Sequence, residues 1–155
     1  MIKKATEEDR ERLLTLANES PCINLFIIGD IETYGFDKDF QEIWYEEIDG
    51  EMEGIYLRYR DNGCIYSKNN KMNKLEIADW LRDNKINHLN TCGRNGDFLW
   101  DVLEDEFVVR PTYMCELKNT NEIKYYDIVD TATVDDARNI AIELQKIDEF
   151  QGFSN

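Results

Sequence analysis

Four cysteines, one histidine and two strand arginines are the residues whose types would stand out in a reactive site. The cysteines, Cys22, Cys64, Cys92 and Cys115, lie far apart in the chain. Thiol-based metal or redox sites favour a Cys-x-x-Cys pair, whereas isolated cysteines pack as small buried hydrophobes, and that is the expectation here. His88 falls at a strand start and is expected to be structural or exposed rather than a general base. Arg58 and Arg60 alternate onto one strand face with Tyr56, which predicts a solvated or ion-paired face rather than an anion site. Gly93-Arg94-Asn95-Gly96 reads as a tight turn before a helix. No residue is assigned a catalytic, cofactor-binding or metal-ligating role.

Composition narrows the partners. The chain has 155 residues, 33 acidic and 18 basic, for a net charge of -15. That length suits one domain that buries about two thirds of its unfolded surface. The charge opposes nucleic acid, which needs a basic face, and opposes anionic membrane surfaces. No apolar run approaches the roughly 20 residues of a membrane span. The opening Met1-Ile2-Lys3-Lys4-Ala5-Thr6-Glu7-Glu8 becomes charged before a signal sequence could form. A cytoplasmic location is expected.

The elements follow from local pattern. Thr6-x-x-Asp9 resembles a capping box, and Leu13, Leu14 and Ala17 share one face, predicting a helix over 6–18. Ser20-Pro21 predicts the start of a second helix, Cys22 to Ile31, apolar on nearly all sides and ended by Gly35. Asp49-Gly50 joins Ile43–Ile48 to Ile55–Arg60 as a hairpin. Asp61-Asn62-Gly63 turns into a third strand, Cys64–Ser67. A helix over 73–84, a strand at His88–Cys92, a helix over 97–105 and strands at Phe107–Val109 and Tyr113–Leu117 complete the set. Together they predict an α/β fold of the α+β kind, a central, mostly antiparallel mixed sheet flanked by helices.

Near its end the chain echoes its start. Ala5, Thr6 and Asp9 correspond to Ala132, Thr133 and Asp136, and the apolar Leu13, Leu14 and Ala17 to Ile140, Ala141 and Leu144. Two capped helices that begin alike by chance would give this, and so would a duplicated unit. On the second reading residues 1–127 form one domain and 128–155 open a truncated second copy. The apolar face of Ala137, Ile140, Ala141, Leu144 and Ile147 would then dock on the first domain or on a neighbouring chain.

The unit order and the opening Ile2-x-x-Ala5-Thr6-x-x-Asp9 resemble the GNAT superfamily of acetyl-CoA-dependent N-acetyltransferases. Asn24-Leu25-Phe26-Ile27-Ile28-Gly29-Asp30-Ile31-Glu32 followed by Tyr34-Gly35-Phe36, with Leu57-Arg58-Tyr59, Ile65-Tyr66-Ser67 and Asp148-Glu149-Phe150, looks like the N-terminal unit of tandem bacterial members. The resemblance implies acetyl-CoA as the family's cofactor. It also implies a glycine-rich loop after the third meander strand, where backbone N–H groups and a helix N-terminus hold the pyrophosphate. Here that stretch is Ser67-Lys68-Asn69-Asn70-Lys71-Met72-Asn73, without glycine, so the cofactor is not expected to bind this chain. The family's general acid is a Tyr or Cys; Tyr113 and Cys115 lie on the last predicted strands and are expected to pack in the core.

Three functions are compatible with these readings. The chain is a non-catalytic N-terminal domain whose partner is a C-terminal GNAT unit of the same polypeptide, or a second copy of itself. Alternatively it is an active acetyltransferase with a divergent loop, acting on a small or protein amine such as a polyamine or an aminoglycoside. The third is a stand-alone binding module.

Overall fold

Asp49 and Gly50 both adopt positive φ, 54° and 83°, as a two-residue hairpin turn requires. That turn fixes the register of the two longest strands, β2 (Gln41–Ile48) and β3 (Glu51–Tyr59). The structure, a computed structural model, describes residues 1–112 together with Asn139, Ile142 and Glu143. The chain divides into two units, Met1–Glu116 and Leu117–Asn155. In the second, the three described residues are helical and exposed. The predicted strand Tyr113–Leu117 and the docking face from Ala137 to Ile147 lie outside the described residues.

In the first unit the order is β1 (Ile2–Lys4), a 3-10 turn (Glu7–Asp9), α1 (Arg10–Ala17), α2 (Leu25–Tyr34), β2, β3, β4 (Asn62–Ser67), α3 (Lys74–Asp83), β5 (His88–Thr91) and α4 (Gly93–Leu103). The five strands form one sheet in sequence order. Neighbours are antiparallel except β4 and β5, which are parallel across the α3 connection. A mostly antiparallel mixed sheet flanked by four helices is therefore the fold. Its order follows the one on which the GNAT resemblance rests, as far as α4.

Strand alternation sorts the core into two layers. Ile43, Tyr45, Ile55, Leu57, Cys64 and Tyr66 meet Leu13, Leu16 and Ala17 of α1 and Ile27 and Ile31 of α2. Tyr56 and Ile65, from the opposite face, meet Ile77, Trp80 and Leu81 of α3 and Leu99 and Leu103 of α4. Trp80 stacks edge-on against Trp44 at 5.4 Å and tilts over Tyr56 at 5.6 Å.

Four expectations need correction. Residues 20–24 form turns and α2 starts at Leu25, because the buried Asn24 side chain donates to the Ala17 carbonyl at 2.9 Å and holds the turn in place. Nor is α2 buried on several faces. It buries Ile27 and Ile31, while Ile23 before it and its own Leu25 and Phe26 are 47, 55 and 56% exposed. Helix α4 begins at Gly93, so Gly93-Arg94-Asn95-Gly96 is its first turn, drawn into helix by tertiary bonds of Asn95 described below. Residues 107–109 form no strand; Val108 and Val109 are exposed and have no sheet neighbour.

Leu57 is 1% exposed between the sheet and α1, whereas Leu75 on α3 is 69% exposed. Leu57→Ala should lower unfolding free energy by about 2–5 kcal/mol. Leu75→Ala should change it by less than about 0.5 kcal/mol. Urea midpoints of both variants at unchanged slope check this, and equal losses would contradict the layer assignment.

Candidate functional site

The turn between β4 and α3 is where the resemblance places a cofactor loop, and its residues have a definite geometry. The turn is governed from the neighbouring strand. Across β2 and β3 the register passes from Glu46↔Gly54 to Glu47↔Met52, leaving Glu53 as the extra residue of a β-bulge. The bulge sends the Glu53 side chain into the turn, where the residue is only 4% exposed.

One carboxylate oxygen of Glu53 accepts from the Ser67 hydroxyl at 2.7 Å, the Asn69 N–H at 2.8 Å and the Lys71 N–H at 3.1 Å. The other oxygen accepts from the Asn69 side-chain amide at 2.9 Å. The two remaining N–H groups are also engaged: Lys68 donates to the Glu53 carbonyl at 2.9 Å, and Asn70 to the Ser67 hydroxyl at 2.9 Å. Asn70 takes φ 56°, the left-handed conformation that lets N–H groups on either side of it converge on one oxygen. Burial works against the Glu53 charge. The hydrogen bonds from Ser67, Asn69 and Lys71 outweigh it, and the carboxyl is held below its ordinary pKa.

A second buried polar residue anchors the turn from α4. Asn95, fully buried, accepts from the Ser67 N–H at 3.0 Å and donates to the Ser67 carbonyl at 3.0 Å and to Asn70 Oδ1 at 2.5 Å. Arg94 donates to the Ser67 carbonyl at 3.1 Å. These bonds explain why a stretch rich in glycine becomes a helix start. A Cβ on Gly93 would meet nothing within 4 Å, so no close approach demands glycine there. The N-terminus of α3 is capped by Asn73, whose side chain accepts from Leu75 and Glu76 at 3.1 and 3.4 Å.

Beside this network, a cleft of about 290 Å³ opens where the pairing of β4 with β5 ends, at Ile65↔Thr91. Ile23, Phe26 and Ile27 line it from α2 and the turn before it, Cys64 and Ile65 from β4, and Asn90 to Gly93 from the end of β5 and the start of α4. Cys92, half-buried, donates to Asn95 Oδ1 at 3.0 Å. Cys64 is buried and burial pushes its thiol up to about 12. Of the cysteines read as buried hydrophobes, Cys64 fits; Cys22 and Cys92 are half-buried, and Cys115 lies outside the described residues, as does Tyr113.

The remaining candidates are scattered. His88 is exposed on β5, the outermost strand on that side among the described residues. Arg58 pairs with Glu42 at 2.6 Å, as an ion-paired face requires, and Lys4 pairs with the same carboxylate from β1. Tyr56, on the same side of β3, is covered by α3, and its hydroxyl donates to Glu46 at 3.1 Å. Of the two lysines on the turn, Lys68 pairs with Glu19 at 2.6 Å. Among the described residues, no group of three or more His, Cys, Asp or Glu side chains is placed to hold a metal, and no helix is long and apolar enough to cross a membrane. Glu53 itself was not legible as a site residue: it sits in an acidic run between Asp49-Gly50 and the predicted strand start at Ile55, whereas β3 begins at Glu51.

No family model matches the chain, and no curated protein does. Among solved structures, a ribosomal-protein-alanine N-acetyltransferase from Brucella melitensis biovar Abortus 2308 is similar at 14% identity and a TM-score of 0.43. The match covers 77% of this chain and 98% of that one. A likeness at that level decides nothing about the chemistry of this chain.

Two outcomes are expected from the site. Glu53→Gln should cost about 1–3 kcal/mol at neutral pH. Because the folded pKa lies below the unfolded one, this contribution is complete above about pH 4.3 and is lost as pH falls through the folded value. The gap between wild type and variant, followed by urea unfolding from pH 7 to 3, should be flat at first and then close. Separately, iodoacetamide at pH 8 should modify Cys92 well before Cys64. At a pKa of about 12, only about one Cys64 in ten thousand is thiolate at that pH. Peptide mapping reads the order.

Proposed function

We propose that this chain is a GNAT-like domain that supports a catalytic GNAT unit of the same polypeptide, beginning near residue 128, and does not itself bind acetyl-CoA. The observation that carries the reading is the filled turn after β4. A coenzyme pyrophosphate needs N–H groups that are open and unopposed by negative charge. In this turn the N–H groups of Lys68, Asn69, Asn70 and Lys71 all have acceptors, and a buried carboxylate sits among them. The residues present do not fit the group, and no step of an acetyl transfer is assigned to them.

Two further features support a role in packing rather than turnover. Ile23, Leu25 and Phe26 expose apolar surface beside one another, as interface residues do. The echo of the chain's opening at residues 129–136 supports a second unit of the same kind.

The cleft where the pairing of β4 with β5 ends favours a second reading, an acetyltransferase on a small or protein amine with a divergent cofactor loop. The cleft is concave, partly apolar and edged by the Asn90 and Thr91 side of β5, as small-ligand sites are. One experiment separates the two. Titration calorimetry of acetyl-CoA into the full chain should show no binding up to millimolar ligand, and thiol release with an amine panel should not exceed buffer. Low-micromolar binding with turnover would replace the first reading by the second.

A further inference from the structure

The β4–α3 turn is built as anion sites are built. Two backbone N–H groups, from Asn69 and Lys71, point at one oxygen, and a hydroxyl and a side-chain amide add two more donors. Asn70, at positive φ between them, provides the concave backbone that gathers N–H groups around a negative atom. Four donors on one carboxylate, with Glu53 4% exposed and no cation among those donors, is the bonding pattern of a bound oxyanion rather than of an ion pair. The oxyanion is covalently part of the chain because the β3 bulge places Glu53 there.

We propose that this turn is an oxyanion site whose resident ligand is the chain's own Glu53 carboxylate, and that removing the carboxylate leaves a site for a free carboxylate or phosphate. The donors are not supplied by Glu53. Ser67 is the last residue of β4, where it pairs with Gly54, and Asn95 holds both its N–H and its carbonyl. Asn70 is held by Asn95 and by the Arg94 carbonyl, at 2.5 and 3.2 Å. Two residues of the turn, Ser67 and Asn70, are thus anchored from α4 by bonds that do not involve the anion, and they flank the donor Asn69. Shortening Glu53 leaves the donors in place with nothing to accept from them. Lys71 on the same turn adds positive charge, and a small oxyanion from solution then restores what the side chain supplied.

The inference deepens the proposed function, resting on it only for the choice of a diphosphate as one probe. The test uses the full chain carrying Glu53→Ala, in chloride buffer at constant ionic strength. Its thermal midpoint should fall by about 5–15 °C. It should rise again, saturably, with added formate or pyrophosphate, while wild type responds to neither. In 15N spectra of the variant, the Asn69 and Lys71 amide signals should be those that move with the added anion. Recovery by formate alone marks a site sized for a planar carboxylate, and recovery by pyrophosphate one that admits phosphate; both support the proposal. Equal responses of variant and wild type, or anion shifts confined to other residues, overturn it.

If the alanine variant does not fold, wild type still decides. Its Asn69 and Lys71 amide shifts should titrate together with the Glu53 carboxyl as pH is lowered, and amides indifferent to that titration refute the resident anion. Failure here leaves the supporting-domain reading intact, because wild type would still not bind acetyl-CoA. Conversely, acetyl-CoA binding by wild type would remove that reading without touching the anion response of the variant.

Discussion

A carboxylate that is buried and still charged constrains everything around it, and Glu53 imposes that constraint on this fold. Withdrawing its charge from water is costly unless donors replace the lost solvation. The donors come from a turn that would otherwise have free N–H groups, and the turn is fixed in turn by Asn95 on α4. Strand β3, the β4–α3 turn and the first turn of α4 are therefore one electrostatic unit. Apolar packing alone would leave each of them more freedom: the bulge could migrate along β3, and the glycine-rich start of α4 has little helical preference of its own.

The two sheet faces divide the remaining work. Between α1, α2 and the sheet the buried layer is largely aliphatic, with Asn24 as the polar pin that sets where α2 begins. Beneath α3 and α4 the layer contains Trp44, Tyr56 and Trp80, and its polar groups gather at one end of the sheet. The cleft is lined by Cys64 and Ile65 of β4, one from each layer, and by the end of β5. Its lining residue Cys64 has a thiol that burial keeps neutral, so the cleft offers shape and amide chemistry rather than a nucleophile from that position.

Much of the fold was legible because the signals were local. Asp49-Gly50 demands a hairpin whatever surrounds it, and the strands it was read to join are both present. The helix read over 73–84 is α3, Lys74–Asp83. Where the reading failed, distant residues had decided. Nothing near Gly93-Arg94-Asn95-Gly96 reveals that Asn95 will bond Ser67, 28 positions away, and so extend α4 by a turn. Nothing near Pro21 reveals that Asn24 will reach back to Ala17 and delay α2. The absence of glycine from Ser67–Asn73 was legible, but not its counterpart, because Glu53 lies before the Ile55 strand start that local pattern predicts.

The missing glycine and the present carboxylate are two sides of one electrostatic argument. A loop without glycine could still bind a phosphate if its N–H groups pointed outward, since asparagine tolerates the left-handed conformation that Asn70 in fact adopts. What decides against the phosphate is charge. Two unit charges 4 Å apart repel by about 4 kcal/mol at the effective dielectric of a protein surface, and a diphosphate carries more than one. Displacing Glu53 instead would strip a buried carboxylate of its donors, at about 1–3 kcal/mol or more for each. The incoming phosphate would gain only the same two N–H groups, one hydroxyl and one side-chain amide that Glu53 already holds. On either route the wild-type turn gains nothing by exchanging its own anion for a foreign one, so a neutral lining, rather than added glycine, is the change that would open it.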